Sequence, residues 1–334
     1  KPLKRKNSFL SDPANINGTK STFKIADFNL ESATIQVGDY AYIGTFNNLK
    51  NENAGTHSSK MIFKKKSADA RMDGRLLLER QVLTALQGKC FCVPKIESTV
   101  SDDNVILLNY GDVFMCDLAL AIQQEAIKEE DKVYYSACLF SAIFALHEIG
   151  IMHRFINTGS VYITTSGVPK LADLRYAKKM DGQLAYTICG DPLYFAPEIV
   201  KQQGYDYGVD LWALGCTLFE FFEGVGPMGS SDIEETQLFK KINSFEPELL
   251  EYTKSSHKKV RSVIDSLMNP DVTRRCGYKS FADAKSKKMF SKIDWDLVGG
   301  DREFPFELMA HVDDTQIPPQ ESLEQFTNET FELF

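Results

Sequence analysis

The spacing of apolar positions changes character about a third of the way along the chain. From Phe28 to Phe63 the pattern is strand-like, broken by a polar stretch at Asn47–Gly55 that predicts a hairpin turn. Arg71–Leu86 sets Leu76, Leu77, Val82 and Leu83, with Glu79 and Arg80, at helical spacing. Short strands are predicted at Val93–Thr99 and Val105–Asn109. After Gly111 helices dominate: a strongly apolar one over Lys132–Ile149, stopped by Gly150, and another over Val209–Phe222, bounded by Gly224. Ile151–Lys170 between them reads as a loop and a hairpin around Thr165-Ser166-Gly167. Further helices are predicted at Ile233–Ile242, His257–Leu267 and Phe281–Ala284. A strand-rich first third joined to a helix-rich remainder predicts an α+β protein with two lobes. Residues 1–23 are polar and aperiodic, and predict a flexible lead-in.

Composition narrows the function classes. A charged fraction of 25% and a hydrophobic fraction of 43% over 334 residues are those of a water-soluble globular protein. A net charge of -8 argues against general nucleic-acid binding, although basic runs occur at Lys1–Lys6, Lys64–Lys66 and Lys285–Lys288. The 7 cysteines fall at irregular spacings that suit neither a disulfide framework nor a metal cluster, so a reduced, cytoplasmic protein is expected. The longest apolar stretch, around Cys138–Leu146, is too short to span a bilayer. A first residue of Lys1 rather than Met fits a fragment or a processed product.

Several segments carry a more specific signal. Cys189-Gly190-Asp191-Pro192-Leu193-Tyr194-Phe195-Ala196-Pro197-Glu198 resembles the protein-kinase segment that ends in A-P-E. Val209-Asp210-Leu211-Trp212-Ala213-Leu214-Gly215 follows at that family's spacing. His153-Arg154 stands where H-R-D belongs, and Ala172-Asp173-Leu174-Arg175 where D-F-G belongs. Arg275 takes the place of the arginine that pairs with the A-P-E glutamate, here Glu198. The C-G-x-P stretch, Phe290 with Asp294-Trp295, and a chain ending Phe331-Glu332-Leu333-Phe334 are similar to the AGC group, especially the cyclic-nucleotide-dependent kinases. The resemblance implies a bilobal kinase fold. Its expected divisions are a flexible segment at 1–27, a small lobe at 28–110, a helical lobe at 111–290 and a C-terminal tail at 291–334.

It also exposes what is missing. Phosphoryl transfer needs a group to orient the attacking hydroxyl, metal ions on the phosphates, and a loop whose backbone can approach them. The aspartate of H-R-D is replaced by Phe155, which can neither take a proton nor bond a hydroxyl; such a loss typically removes about 10²–10⁴-fold in rate. The lysine two positions on is Asn157, and the metal-binding asparagine aligns with Ser160. Ile35, Val37 and Tyr40 take the glycine positions of the phosphate loop, leaving only Gly38 nearby, and Tyr162 lies where a leucine usually sits beneath adenine. The remaining equivalents of the nucleotide pocket are Lys60, Glu79, Leu108, Asn109, Tyr110 and Asp173. Asp173 keeps the chemistry to hold one cation. The lysine partner of Glu79 stays open at this point: Lys60 precedes it by the AGC separation, while Lys64 suits a M-I-F-K strand. The stiffening apolar column looks complete in Leu83, Ile96, Leu174 and His153, anchored by Asp210.

Regulatory features follow from the same resemblance. Thr187 matches the activation-loop phosphosite, with Arg154 as its phosphate partner and Lys179 as a second. Ser8, with Arg5 three residues before it, is a second phosphosite candidate. Glu220 fits one acidic substrate-recognition position, but Met115 and Gly159 occupy others, so binding of arginine-rich peptides should be weak. Phe331 and Phe334 are expected to dock on the small lobe. The chain is thus expected to be a pseudokinase that scaffolds or regulates a protein partner, such as another kinase or a regulatory subunit. Neither nucleic acid nor a membrane span is expected. The alternatives are a weak ATP-dependent serine/threonine kinase and an ATP sensor without turnover. Only these would require ATP and Mg²⁺.

Overall fold

The computed structural model of the protein describes residues 28–48, 56–253 and 258–300. Ser8, Phe331, Phe334, the whole of 1–27 and residues 301–334 lie outside them. The small lobe begins with strands β1 (Phe28–Val37), β2 (Ala41–Asn48) and β3 (Thr56–Phe63). Helices α1 (Lys64–Asp69) and α2 (Asp73–Leu86) follow, then strands β4 (Ile96–Ser101) and β5 (Val105–Tyr110). The strands form a 5-stranded antiparallel sheet in the order β1-β2-β3-β5-β4. Asn47 pairs with Thr56, so the polar stretch joins hairpin partners as its composition predicts. Val37 pairs with Ala41, which leaves Gly38-Asp39-Tyr40 as a tight turn between β1 and β2.

The larger lobe opens with strand β6 (Phe114–Asp117) and helices α3 (Leu118–Gln123) and α4 (Lys132–Glu148). Strands β7 (Ile151–Met152), β8 (Val161–Thr164), β9 (Pro169–Leu171) and β10 (Lys178–Lys179) follow. Helices α5 (Pro197–Val200), α6 (Gly208–Glu223), α7 (Glu235–Asn243), α8 (Lys258–Leu267) and α9 (Phe281–Lys285) complete it. Helix α4 is buried nearly all round, as its almost unbroken apolar sequence requires of a core helix. By contrast α8 buries only Val260, Val263, Ile264 and Leu267, one stripe at helical spacing. Strands β6, β8 and β9 form a small sheet, and β10 pairs with β7.

Helices α1, α3 and α5 and strands β6, β7 and β10 were not predicted; each is only 2 to 6 residues long, too short to establish a period. The fourth strand begins three residues later than expected, at Ile96 rather than Val93. Lys64 is not in a strand at all: it starts α1 and donates to the carbonyl of Asp102.

The lobes meet through the predicted column. Leu83, Ile96, Leu174 and His153 are all buried. Beneath them Asp210 accepts from the backbone N–H of His153 and of Arg154, both at 2.8 Å, and lies 2.8 Å from His147 Nε2. Burial alone would raise the Asp210 carboxyl, but His147 and these bonds hold it below the usual carboxylate range.

Candidate active site

Phe155 stands on the loop between β7 and β8, where its backbone N–H donates to His153 Nδ1 at 3.2 Å. That bond leaves Nε2 of His153 to carry the ring proton and donate to the carbonyl of Ala172 at 2.8 Å. Burial drives the His153 pKa down, so the ring is neutral. Asn157 and Ser160 are brought together, but each serves the backbone: the N–H of Asn157 donates to Ser160 Oγ at 3.0 Å, and Ser160 Oγ donates to the Asn157 carbonyl at 2.9 Å. Ser160 is thereby the lock of a tight turn rather than a free ligand.

Across the cleft, Lys60 and not Lys64 pairs with Glu79. Lys60 Nζ lies 3.0 Å and 2.7 Å from the two Glu79 oxygens, and both residues are buried. The pair joins β3 to α2 and holds that helix against the sheet. The pocket above it is crowded. Ile35, Val37 and Tyr40 are buried around the β1–β2 turn, and Leu108, Asn109, Tyr110 and Tyr162 are buried along the hinge and floor. Phe114 stacks edge-on between Tyr110 and Tyr162, its ring centroid 5.5 Å from each. Burial, reinforced by the charge of Asp173, raises the Tyr40 and Tyr162 hydroxyls well above the ordinary phenol value. The amide of Asn109 is used within the sheet: it accepts from Ser59 Oγ at 2.7 Å and donates to Ser98 Oγ at 2.8 Å. Tyr40, Tyr110 and Tyr162 are thus buried at positions that the kinase resemblance assigns to the nucleotide side of the cleft, with Phe114 buried between Tyr110 and Tyr162.

Asp173 is also engaged. Arg175 Nε donates to its two oxygens at 2.7 Å and 2.9 Å, and Nη2 adds a third bond. Burial opposes the Arg175 charge, but the Asp173 bonds raise its pKa above the normal value, so the guanidinium stays charged. Its carbon sits 4.9 Å from the centre of the Phe155 ring, and the Tyr176 ring lies 5.1 Å from Phe155. These residues do not fit a magnesium nucleotide: the carboxylate is bound by a guanidinium, Ser160 is turned to the backbone, and aromatic rings crowd the base site. The roles of Arg175 and Phe114 were not foreseen. An arginine in the glycine position of D-F-G was the available signal for the first; nothing in the spacing marks the second.

The activation segment is fastened to the large lobe by side-chain and backbone bonds. Arg154 Nε donates to the Tyr176 carbonyl at 2.8 Å, and Nη1 donates to the Tyr205 hydroxyl at 3.2 Å. Tyr205 in turn donates to the carbonyl of Thr187, whose side chain is exposed, as is Lys179. Gly190 has φ +108, and a Cβ there would lie 2.7 Å from the Arg154 carbonyl, so only glycine lets this segment reach the loop. Arg275 is buried against Glu198 at 2.6 Å and 2.8 Å, as predicted. Glu220 is not free to receive a basic peptide: Thr158 donates to it at 3.2 Å, Tyr194 donates to its other oxygen, and burial raises its carboxyl.

The comparisons with known proteins agree with this architecture. Residues 33–287 match the protein kinase domain family. The chain belongs to that family. It is 27% identical over 245 residues to cAMP-dependent protein kinase catalytic subunit 2 of Drosophila melanogaster, covering 72% of this chain and 67% of that protein. It is 26% identical over 305 residues to 3-phosphoinositide-dependent protein kinase 1 of Arabidopsis thaliana, covering 85% of this chain and 61% of the relative. Its relatives thus include AGC-group kinases. Among the described residues no helix is long and apolar enough to cross a membrane.

Proposed function

We propose that this kinase domain does not transfer phosphate and acts as a pseudokinase, an allosteric partner or scaffold in AGC-type signalling. The observation that carries this reading is Phe155, whose ring rests on Arg175 and Tyr176 where a kinase needs a carboxylate. The crowded nucleotide site supports it further. The retained column of Leu83, Ile96, Leu174 and His153, together with the Lys60–Glu79 pair, supports a shape kept for binding rather than chemistry. The proposed partner is another kinase or a regulatory subunit, met in the cytoplasm without nucleotide or Mg²⁺. A second reading, a nucleotide sensor without turnover, is favoured only by the intact Lys60–Glu79 pair. The test is radiolabelled ATP with the purified chain, with Asp173→Ala as control. No transfer above background is expected; turnover that vanishes in the Asp173 variant would refute the reading.

A further inference from the structure

The residue that holds Asp173 also reaches the other lobe. A Cβ on Gly38 would lie 3.1 Å from Arg175 Nη1 and 3.1 Å from the Tyr40 ring, so the guanidinium lies close against the turn between β1 and β2 and leaves room there only for glycine. On its remaining sides Arg175 is forked onto Asp173 and lies over the face of Phe155. One side chain therefore touches the small-lobe turn, the carboxylate of the large lobe and the ring that replaced the catalytic base. Asp173 itself has left-handed backbone, φ 56, a conformation that needs such support in a residue with a side chain.

We infer that Arg175 is a tethered cation standing in place of a metal-bound nucleotide: it neutralises Asp173, draws the β1–β2 turn onto the large lobe, and holds the cleft closed with no ligand. The charge and geometry fit the role. A guanidinium supplies a planar fork that satisfies both carboxylate oxygens and a flat face for an aromatic ring, which a metal ion does not. Its tether makes the neutralisation intramolecular, so closure does not depend on ligand concentration. Phe155 is then part of the device, because an aspartate at 155 would compete with Asp173 for the same guanidinium. The inference goes beyond the lack of phosphotransfer and rests on that reading only in leaving nucleotide out of the cleft.

The experiment compares the whole chain with Arg175→Ala, using hydrogen exchange of the turn amides and melting with MnCl₂ alone. In Arg175→Ala, exchange at Gly38–Tyr40 is expected to rise by about tenfold or more. Mn²⁺ is expected to raise the melting temperature of Arg175→Ala but not of the wild type, and the gain is expected to vanish in the Arg175→Ala, Asp173→Asn double variant. Unchanged turn exchange, no Mn²⁺ gain in Arg175→Ala, a gain that survives in the double variant, or an equal gain in the wild type would each overturn the proposal. Arg175→Lys, which keeps the charge and loses the fork, covers a failure of Arg175→Ala to fold: its turn must still exchange faster than wild type, and unchanged exchange overturns the proposal. Failure of the exchange and Mn²⁺ results overturns the Arg175 tether alone, whereas phosphotransfer by the wild type would refute the pseudokinase reading and, with it, the closed unliganded cleft.

Discussion

Replacing an acid by an aromatic ring does more than delete a base; it gives the surroundings something new to pack on. Phe155 receives the Arg175 guanidinium and the Tyr176 ring, so a restored aspartate would meet a guanidinium and not a substrate. Phe155→Asp alone should therefore leave phosphotransfer at background in the radiolabel assay and weaken the fold by about 1–2 kcal/mol through loss of the ring contacts. A second expectation concerns His153. Its folded pKa lies below its ordinary 6.5, first because it is buried, and against the pull of Asp210, the Ala172 carbonyl and Asp173. The unfolded chain then takes up a proton that the folded one resists. The stabilisation is fully present above 6.5 and is lost as pH falls through and below that value. Melting temperatures measured across that range should fall on acidification, and His153→Gln should flatten the slope. At this scale Phe155, Asn157 and Ser160 were legible, because neighbouring motifs fix their places. Arg175 was legible as an odd residue but not as a bridge, since its contact with Gly38 joins segments far apart in sequence.

Among the elements, α2 is the one whose position matters most: Leu76, Val82, Leu83 and Leu86 bury its apolar face, and the Lys60–Glu79 pair ties it to β3. Glu79→Ala strands the Lys60 ammonium in the interior and should cost about 3–5 kcal/mol in denaturant unfolding. Replacing both residues by apolar ones of similar volume, Lys60→Met with Glu79→Leu, should cost much less, since desolvating the pair offsets most of its attraction. If the single and double variants lose equal stability, the pair is not what positions α2. Helices α2, α4 and α6 were readable because each runs 14 to 17 residues with sustained periodicity or a long apolar run and a clear stop. Helix α3 was not, although Asp117 caps it by accepting from the N–H of Leu120 at 2.8 Å; a cap before six residues is a weak signal. The choice between Lys60 and Lys64 could not be made from the sequence. It turns on β3 ending at Phe63, which puts Lys64 at the start of a helix and leaves only Lys60 facing Glu79.

At the scale of the whole molecule, buried side chains from both lobes line the cleft between them. Tyr40, Tyr110, Phe114 and Tyr162 are buried there, and Arg175 pairs with Asp173. The activation segment is fastened independently, by Glu198 to Arg275 and by Tyr205 to the Thr187 backbone. Both features are contacts among this chain's own residues at places where kinases bind nucleotide and phosphate. The most direct test is a thermal-shift titration of the wild-type chain with ATP, run with and without Mg²⁺ or Mn²⁺. A ligand at a hundred times its dissociation constant stabilises a fold by about 2.7 kcal/mol, well within detection. The account predicts no shift in melting temperature at millimolar ATP under either condition. A saturable, metal-dependent rise would contradict it, because Arg175 and the aromatic rings would then have to leave the cleft.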